Sequence, residues 1–451
     1  MKFNAVTLEM LWTRLISIVD EAAAALVRTS FSTIVRESND FACVLTDARG
    51  RSLAQATDSI PSFIGTVPRT IRHFLNEFPA DTLEPGDVLI TNDIWLGTGH
   101  LPDITCAKPI FLGKKLVGFA GSVAHSPDIG GKMRSADARE VFEEGLQIPV
   151  MKVIRRGKID DTFERFVRKN VRVPDQVMGD LWAQFTALHL IESRVLTVLV
   201  EHKLNSLADL ADEIHRRSEA AMRAAIREVP NGVYRHSAVC DGFEKPIELK
   251  MAMAVNDDSI AIDFAGSAAQ VPRSINVCLA YTNAYTSYGV KAVLSPNIPN
   301  NEGVLRPITI CALNGSVYGG ATDIVLACDL RIGLQGIEWR MPATALGLHY
   351  YPSGLRRYIN RLGLQMSKRA FLLGQPIRYE QLCELGLFEA VVDADEFEST
   401  IDQLVNTLRS MAPLSLDLTK KSLNEVAAGL YNEQALKERS RQSVYSEDFA
   451  E

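Results

Sequence analysis

The tetrapeptide His-x-Pro-Asp followed by Ile occurs twice in this chain, as His100-Leu-Pro-Asp103-Ile and His125-Ser-Pro-Asp128-Ile, 25 residues apart. Proline fixes its own φ near about −65°, so each copy is a stiff turn that presents an imidazole and a carboxylate. Two such turns brought together supply the mixed nitrogen and oxygen ligands that hold Zn²⁺, Mn²⁺ or Fe²⁺. The competing reading is a hydrogen bond local to each turn, with the aspartate accepting from a backbone N–H. A single copy favours the local bond. Two copies in a protein with only eight histidines favour the metal site.

Size and charge narrow the setting. A chain of 451 residues holds two or three domains with real cores. Its net charge of −7 argues against recognition of nucleic acid through phosphate neutralisation. Seven scattered cysteines contain no Cys-x-x-Cys pair, which fits reduced thiols in the cytoplasm. The N-terminal Met-Lys-Phe-Asn-Ala-Val-Thr lacks the apolar core of a signal peptide. No apolar run is expected to approach the ~18–20 residues that span a membrane. A cytoplasmic location with no membrane partner is therefore expected.

Along the chain, residues 7–28 carry Leu8, Leu11, Leu15, Ile18, Ala22 and Leu26 at helical spacing, with Thr7 as the expected N-cap. Phe41–Thr46, the turn at 47–50 and Ser52–Gln55 read as a hairpin. A helix is expected over 65–78 and a strand over 88–91. The stretch 91–131, rich in Gly and Asp, reads as loops, where sites are commonly built. Residues 176–228 read as helical up to the break at Pro230-Asn-Gly232. Alternation over 247–255 and 260–264, joined by Asn256-Asp-Asp258, predicts a second hairpin. From about residue 311 the texture changes to small residues and helices, including one from about Glu380 to Gly386 and one from Ala394 to Met411.

Six blocks in order resemble the hydantoinase B/oxoprolinase family. They are Arg36-Glu-Ser-Asn-Asp40-Phe, Asn92-Asp-Ile-Trp-Leu-Gly-Thr-Gly-His100-Leu-Pro-Asp103, Ala124-His-Ser-Pro-Asp-Ile-Gly-Gly131, Glu143-Glu-Gly-Leu-Gln-Ile-Pro149, Asn170-Val-Arg-Val-Pro-Asp and Gly303-Val-Leu-Arg-Pro307. The resemblance implies an α+β domain over residues 1–310, with Asp40, His100, Asp103 and His125 as ligands of a divalent metal. Asp40 enters through the resemblance alone. Asp128 and Asp93 are then candidates for orienting a ligand or acting as general base. The family also implies a hydantoinase A-type partner subunit that uses ATP to phosphorylate a small cyclic amide or ketone substrate. This chain has no Gly-x-x-x-x-Gly-Lys-Ser/Thr loop, so ATP chemistry comes only through that partner.

Residues 311–451 resemble the C-terminal half of the enoyl-CoA hydratase/isomerase (crotonase) family. The resemblance rests on Leu313-Asn-Gly-Ser-Val-Tyr-Gly-Gly320, Ala327-Cys-Asp-Leu-Arg-Ile-Gly333, Arg340-Met-Pro-Ala-Thr-Ala-Leu-Gly-Leu348 and the segment from Ala412 to Leu423. It implies a mostly helical partial fold in which the Gly320 N–H donates to a thioester oxyanion. Asp323 stands where the family has one catalytic glutamate, and Ala343, which cannot move a proton, stands where it has the other. The family's second oxyanion donor belongs to a half with no counterpart here.

The join falls between Pro307 and Asn314, and each part lacks a portion usual for its family. Each part is therefore expected to expose surface that such a portion covers. The favoured function is a metal-dependent subunit of an ATP-dependent cyclic-amide hydrolase or ketone carboxylase. An acyl-CoA hydratase or isomerase, or an inactive chimeric protein, are the alternatives.

Overall fold

Helix α1 (Ala5–Thr29) forms where the spacing places it, and Leu8, Leu11, Leu15, Ile18, Val19, Ala22 and Leu26 are its buried stripe. Its cap is Asn4 rather than Thr7: the Asn4 side chain accepts the Thr7 N–H at 2.7 Å. Asparagine one turn upstream satisfies an orphan donor that Thr7, already inside the helix, cannot reach.

The computed structural model describes residues 3–132 and 135–311. Beyond them it describes 317–318, 322, 325–326, 330–334, 338–341, 343, 350, 352–393, 396–409, 411–427 and 431–444. The chain divides into two compact units, Met1–Ala312 and Leu313–Glu451.

The first unit is built on a seven-stranded antiparallel sheet. Its strands are β1 (Phe41–Asp47), β2 (Ser52–Gln55), β3 (Val88–Thr91), β4 (Asp103–Leu112), β5 (Lys115–His125), β6 (Met151–Arg155) and β7 (Lys158–Ile159). Their spatial order is β2-β1-β5-β4-β3-β6-β7. The expectation of loops across 91–131 is corrected here, because β4 and β5 are strands of ten and eleven residues. The glycines that suggested loops are small for packing. A Cβ on Gly121 would sit 2.4 Å from Val67 Cγ1, and one on Gly118 would sit 2.4 Å from Thr46 O. Alternation is absent because both faces are covered. Phe41, Cys43 and Leu45 enter the core beneath α1 and helix α5 (Pro174–Glu201), whereas Ala42 and Val44 enter the core beneath helix α3 (Thr66–Glu77).

The helical run expected over 176–228 is two helices, α5 and α6 (Ala208–Arg227). The chain turns between them at Lys203, which takes a left-handed φ of 53°. By length and composition α5 is apolar enough to cross a membrane. That overturns the expectation that no such run exists, and burial accounts for it: Val177, Leu181, Phe185, Leu188, Ile191, Val195 and Leu199 all lie in the core.

A second sheet has the order β11-β10-β9-β8, from β8 (Gly232–Cys240), β9 (Ile247–Asn256), β10 (Ser259–Asp263) and β11 (Ile308–Cys311). The hairpin of β9 and β10 stands where alternation placed it, whereas β8 was missed. Every residue of β8 is exposed, Val233, Tyr234 and Val239 included, so no buried face imposes a period on its sequence. Helix α7 (Leu279–Leu294) and the short α8 (Glu302–Leu305) follow it. Strand β11 pairs in parallel with β10, so the strand at the join belongs to the first unit.

In the second unit, short strands pair as Val317–Tyr318 with Glu338–Arg340 and Ile332–Leu334 with Ala390–Val392. Helical segments at Pro352–Lys368 (interrupted at Gly363, φ 73°), Tyr379–Glu384, Phe397–Arg409, Pro413–Ala427 and Glu433–Val444 supply most of its described residues. Its core gathers Leu326, Trp339, Met341, Tyr358, Leu362, Phe371, Ile377 and Leu382. The two helices expected near 380 and 394 are present, and Gly386 ends the first with a φ of 66°.

Candidate metal centre

Strand register gathers the cluster. Asp103, the first residue of β4, faces His125, the last residue of β5. Asp40 directly precedes β1, and its carbonyl accepts the His125 N–H at 3.0 Å. Strand β5 lies between β1 and β4, so these three residues arrive at one end of three neighbouring strands. His100 reaches the same point from the turn before β4.

The two His-x-Pro-Asp copies do not contribute alike. One leads into a strand and the other leads out of its antiparallel neighbour, so the aspartate of the first meets the histidine of the second. Asp103 Oδ1 accepts from His100 Nε2 at 2.8 Å and from His125 Nδ1 at 3.0 Å. Asp40 Oδ2 lies 3.8 Å from His125 Nδ1. One ligand atom each from His100, Asp103 and His125 lie within 4.8 Å of one another. Ligand bonds of about 2.0–2.2 Å separate neighbouring ligand atoms by roughly 3–3.5 Å, so this spacing and this donor set fit one divalent ion with small adjustment.

Burial and charge divide the cluster. The Asp103 side chain is 0% exposed and that of His125 is 5% exposed, whereas His100 is 41% and Asp40 24% exposed. Solvent therefore meets the cluster at His100 and Asp40. Burial pushes the Asp103 carboxyl up, but hydrogen bonds and charge from both histidines hold it below the usual carboxylate range. Burial opposes charge on His100, yet its bond to Asp103 holds it above the usual imidazole range.

Asp128 is placed differently. Its carboxylate accepts from the backbone N–H and the guanidinium of Arg172, and from the Gly130 N–H. It thereby ties the second motif to the residues before α5. Asp93 Oδ1 accepts the Trp95 N–H at 2.9 Å in a local turn, and the charge of Asp93 is felt by His73 and Cys278. Asn92 knits the same loop: its Nδ2 donates to Leu101 O and Leu146 O, and its Oδ1 accepts from Ile148 N–H. Glu144 accepts from Ser274 Oγ and from Leu101 N–H. Gly320 and Asp323 lie outside the described residues, and Ala343 is buried.

Spacing gave no sign of Tyr281, on the first turn of α7. Its hydroxyl donates to Asp103 Oδ2, and its ring lies 6.0 Å from that of His100. The residue stands 178 positions from its partner, with no neighbour in sequence to mark it.

The molecule is thus an α+β protein with a His-Asp-His cluster at the ends of adjacent antiparallel strands. The chain belongs to the hydantoinase B/oxoprolinase family, whose model matches residues 4–322. The enoyl-CoA hydratase/isomerase model matches residues 304–449, so the two overlap over residues 304–322. The chain is 30% identical over 336 residues to a protein of Pseudomonas sp. (strain NS671) assigned as the B component of a D-/L-hydantoinase, covering 70% of this chain and 57% of that protein. It therefore spans little more than half the length of that relative. Among solved structures, the ATP-dependent caprolactamase of Pseudomonas jessenii is 25% identical with a TM-score of 0.65, over 69% of this chain and 54% of that one. A nucleotide-free acetone carboxylase shares the fold at 22% identity and a TM-score of 0.61, over 67% of this chain and 42% of that one.

Proposed function

We propose that this chain is the metal-dependent subunit of an ATP-dependent cyclic-amide hydrolase, or of a related ketone carboxylase, working with a hydantoinase A-type subunit. The observation that carries the reading is the buried Asp103 carboxylate, one oxygen of which is shared by two imidazole nitrogens. Membership of the family supports it, as do relatives named for hydantoinase and caprolactamase activities. Dependence on ATP supports a cytoplasmic location.

His100, Asp103 and His125 would hold the ion, with Asp40 as fourth ligand. A bound divalent ion supplies Lewis acidity toward the oxygen of an unreactive carbonyl. Asp103 and His125 would bind from inside the sheet, the two imidazole nitrogens giving up the protons they share with Asp103 Oδ1 as the ion enters, and His100 and Asp40 form the side open to substrate. Asp93 is assigned general-base work, because its second oxygen carries no hydrogen bond among the described residues. Asp128 is assigned orientation of the motif through Arg172.

The test is to co-purify the chain with an A-type subunit and measure both bound metal and ATP-dependent opening of a lactam. A His100→Ala, His125→Ala double variant should lose the metal and the activity together, and Asp93→Asn should lower kcat while keeping the metal. Unchanged metal content in the double variant overturns the reading. The match over 304–449 favours acyl-CoA chemistry as the second reading. Buried Ala343, with no proton to give, stands against it. Hydration of crotonyl-CoA that Asp323→Ala abolishes would establish it.

A further inference from the structure

We infer that Tyr281 is a positioning residue that fixes how Asp103 meets its ligand, holding Oδ2 and directing Oδ1 toward an ion. The inference rests on the metal-dependent reading of the same cluster and deepens it.

Asp103 is buried, and its two oxygens have different partners. Oδ1 faces His100 Nε2 and His125 Nδ1, the two nitrogens that would share an ion with it. Oδ2 accepts the Tyr281 hydroxyl. A carboxylate whose far oxygen is held this way offers one ligand atom, which leaves more of the coordination sphere open to substrate.

The ring is held in place from several sides. Its centroid lies 6.4 Å from that of Phe63 and 6.1 Å from that of Tyr285, edge-on to the latter. Below it is Gly99, the residue before His100, where an added Cβ would fall 2.2 Å from Tyr281 Cδ2. The bare backbone at Gly99 is what lets the phenol reach Asp103. Two distant parts of the chain, the approach to β4 and the first turn of α7, are shaped for this one contact.

Co²⁺ binding to the full-length chain tests the inference, with Tyr281→Phe as the main variant and Tyr285→Phe as control. The main variant keeps the ring and loses only the hydroxyl. Partners that hydrogen-bond a metal's ligands are typically worth about 10–100-fold in affinity, and a loss of that size is expected for Tyr281→Phe and not for Tyr285→Phe. The visible absorption per bound Co²⁺ should also weaken, as the freed oxygen raises the coordination number. A merely structural hydroxyl would leave that spectrum unchanged. Gly99→Ala keeps the hydroxyl but displaces the ring, so it should weaken Co²⁺ binding in the same direction and serves if Tyr281→Phe fails to fold. A wild-type chain that binds Co²⁺, with both variants matching it in affinity and spectrum, overturns this inference alone. A wild-type chain that binds no Co²⁺ overturns the metal reading and this inference with it.

Discussion

Asp103 and His125 face each other across the ladder of β4 and β5, and Asp103 Oδ1 accepts His125 Nδ1 at 3.0 Å. The pair belongs to the sheet itself, so the centre of the cluster is as rigid as the strands that carry it. In the metal-free protein this contact should contribute to stability. Asp103→Asn should destabilise the protein, measured by urea unfolding at pH 7 with a chelator present, by about 1.5–3 kcal/mol, the range for hydrogen bonds to a charged group. An unfolding midpoint equal to that of the wild type would show that the carboxylate is not holding the imidazoles.

Much of the first unit was legible in the sequence, for reasons visible in particular residues. α1, β1, β2, α3 and the β9–β10 hairpin each bury one stripe or carry a clear turn, so period and punctuation marked them. β4 and β5 were not legible, because helices cover both faces of the sheet and Gly118 and Gly121 are small for close packing. β8 escaped for the opposite reason, since it buries nothing. His100, Asp103 and His125 were readable from the repeated motif. Tyr281 was not, because its partner lies far away in the chain and only the packing of α7 brings them together.

Asp128, the aspartate of the second motif copy, is a candidate for orienting a ligand or acting as general base. Its carboxylate is bonded to Arg172 and Gly130. The Arg172 guanidinium also donates to Gly131 O at 2.7 Å, so the pair clamps the turn after β5. Asp128→Ala and Arg172→Ala should therefore be strongly non-additive. A double-mutant cycle should return a coupling of about 0.5–3 kcal/mol, as for residues in one network. Additive effects would free Asp128 for a role in the chemistry.

Asp180, on α5, anchors the start of a short helix at 33–38. Its Oδ1 accepts the Phe31 N–H at 2.7 Å and the Ser32 N–H at 3.1 Å. Removing the acceptor leaves two N–H groups, one of them buried, without a partner. Asp180→Ala should cost roughly 1–3 kcal/mol, the usual penalty for such orphaned donors. Asp180 Oδ2 has no hydrogen-bond partner among the described residues, so Asp180→Asn keeps the oxygen that matters and should cost clearly less. Equal losses in chemical denaturation would show that the charge, not the acceptor, is what α5 contributes.

His215, on α6, supplies a pH dependence remote from the cluster. It is fully buried, and its Nε2–H donates to Ser52 O at 2.7 Å, tying α6 to β2. Burial holds its pKa below the usual imidazole range; the bond to Ser52 opposes this, and the Arg51 and Arg306 charges add to it. The sign follows from linkage. A folded pKa below the unfolded value of about 6.5 means that the unfolded chain binds the proton first. The stabilisation from neutral His215 is therefore complete above about pH 6.5 and is lost as the pH falls through the folded value. His215→Gln should be less stable at pH 7.5, since it disturbs the bond to Ser52. Its stability should also fall less steeply than that of the wild type between about pH 6.5 and 5, measured by urea titrations at matched ionic strength. Parallel pH profiles for the two proteins would assign the acid sensitivity to other groups.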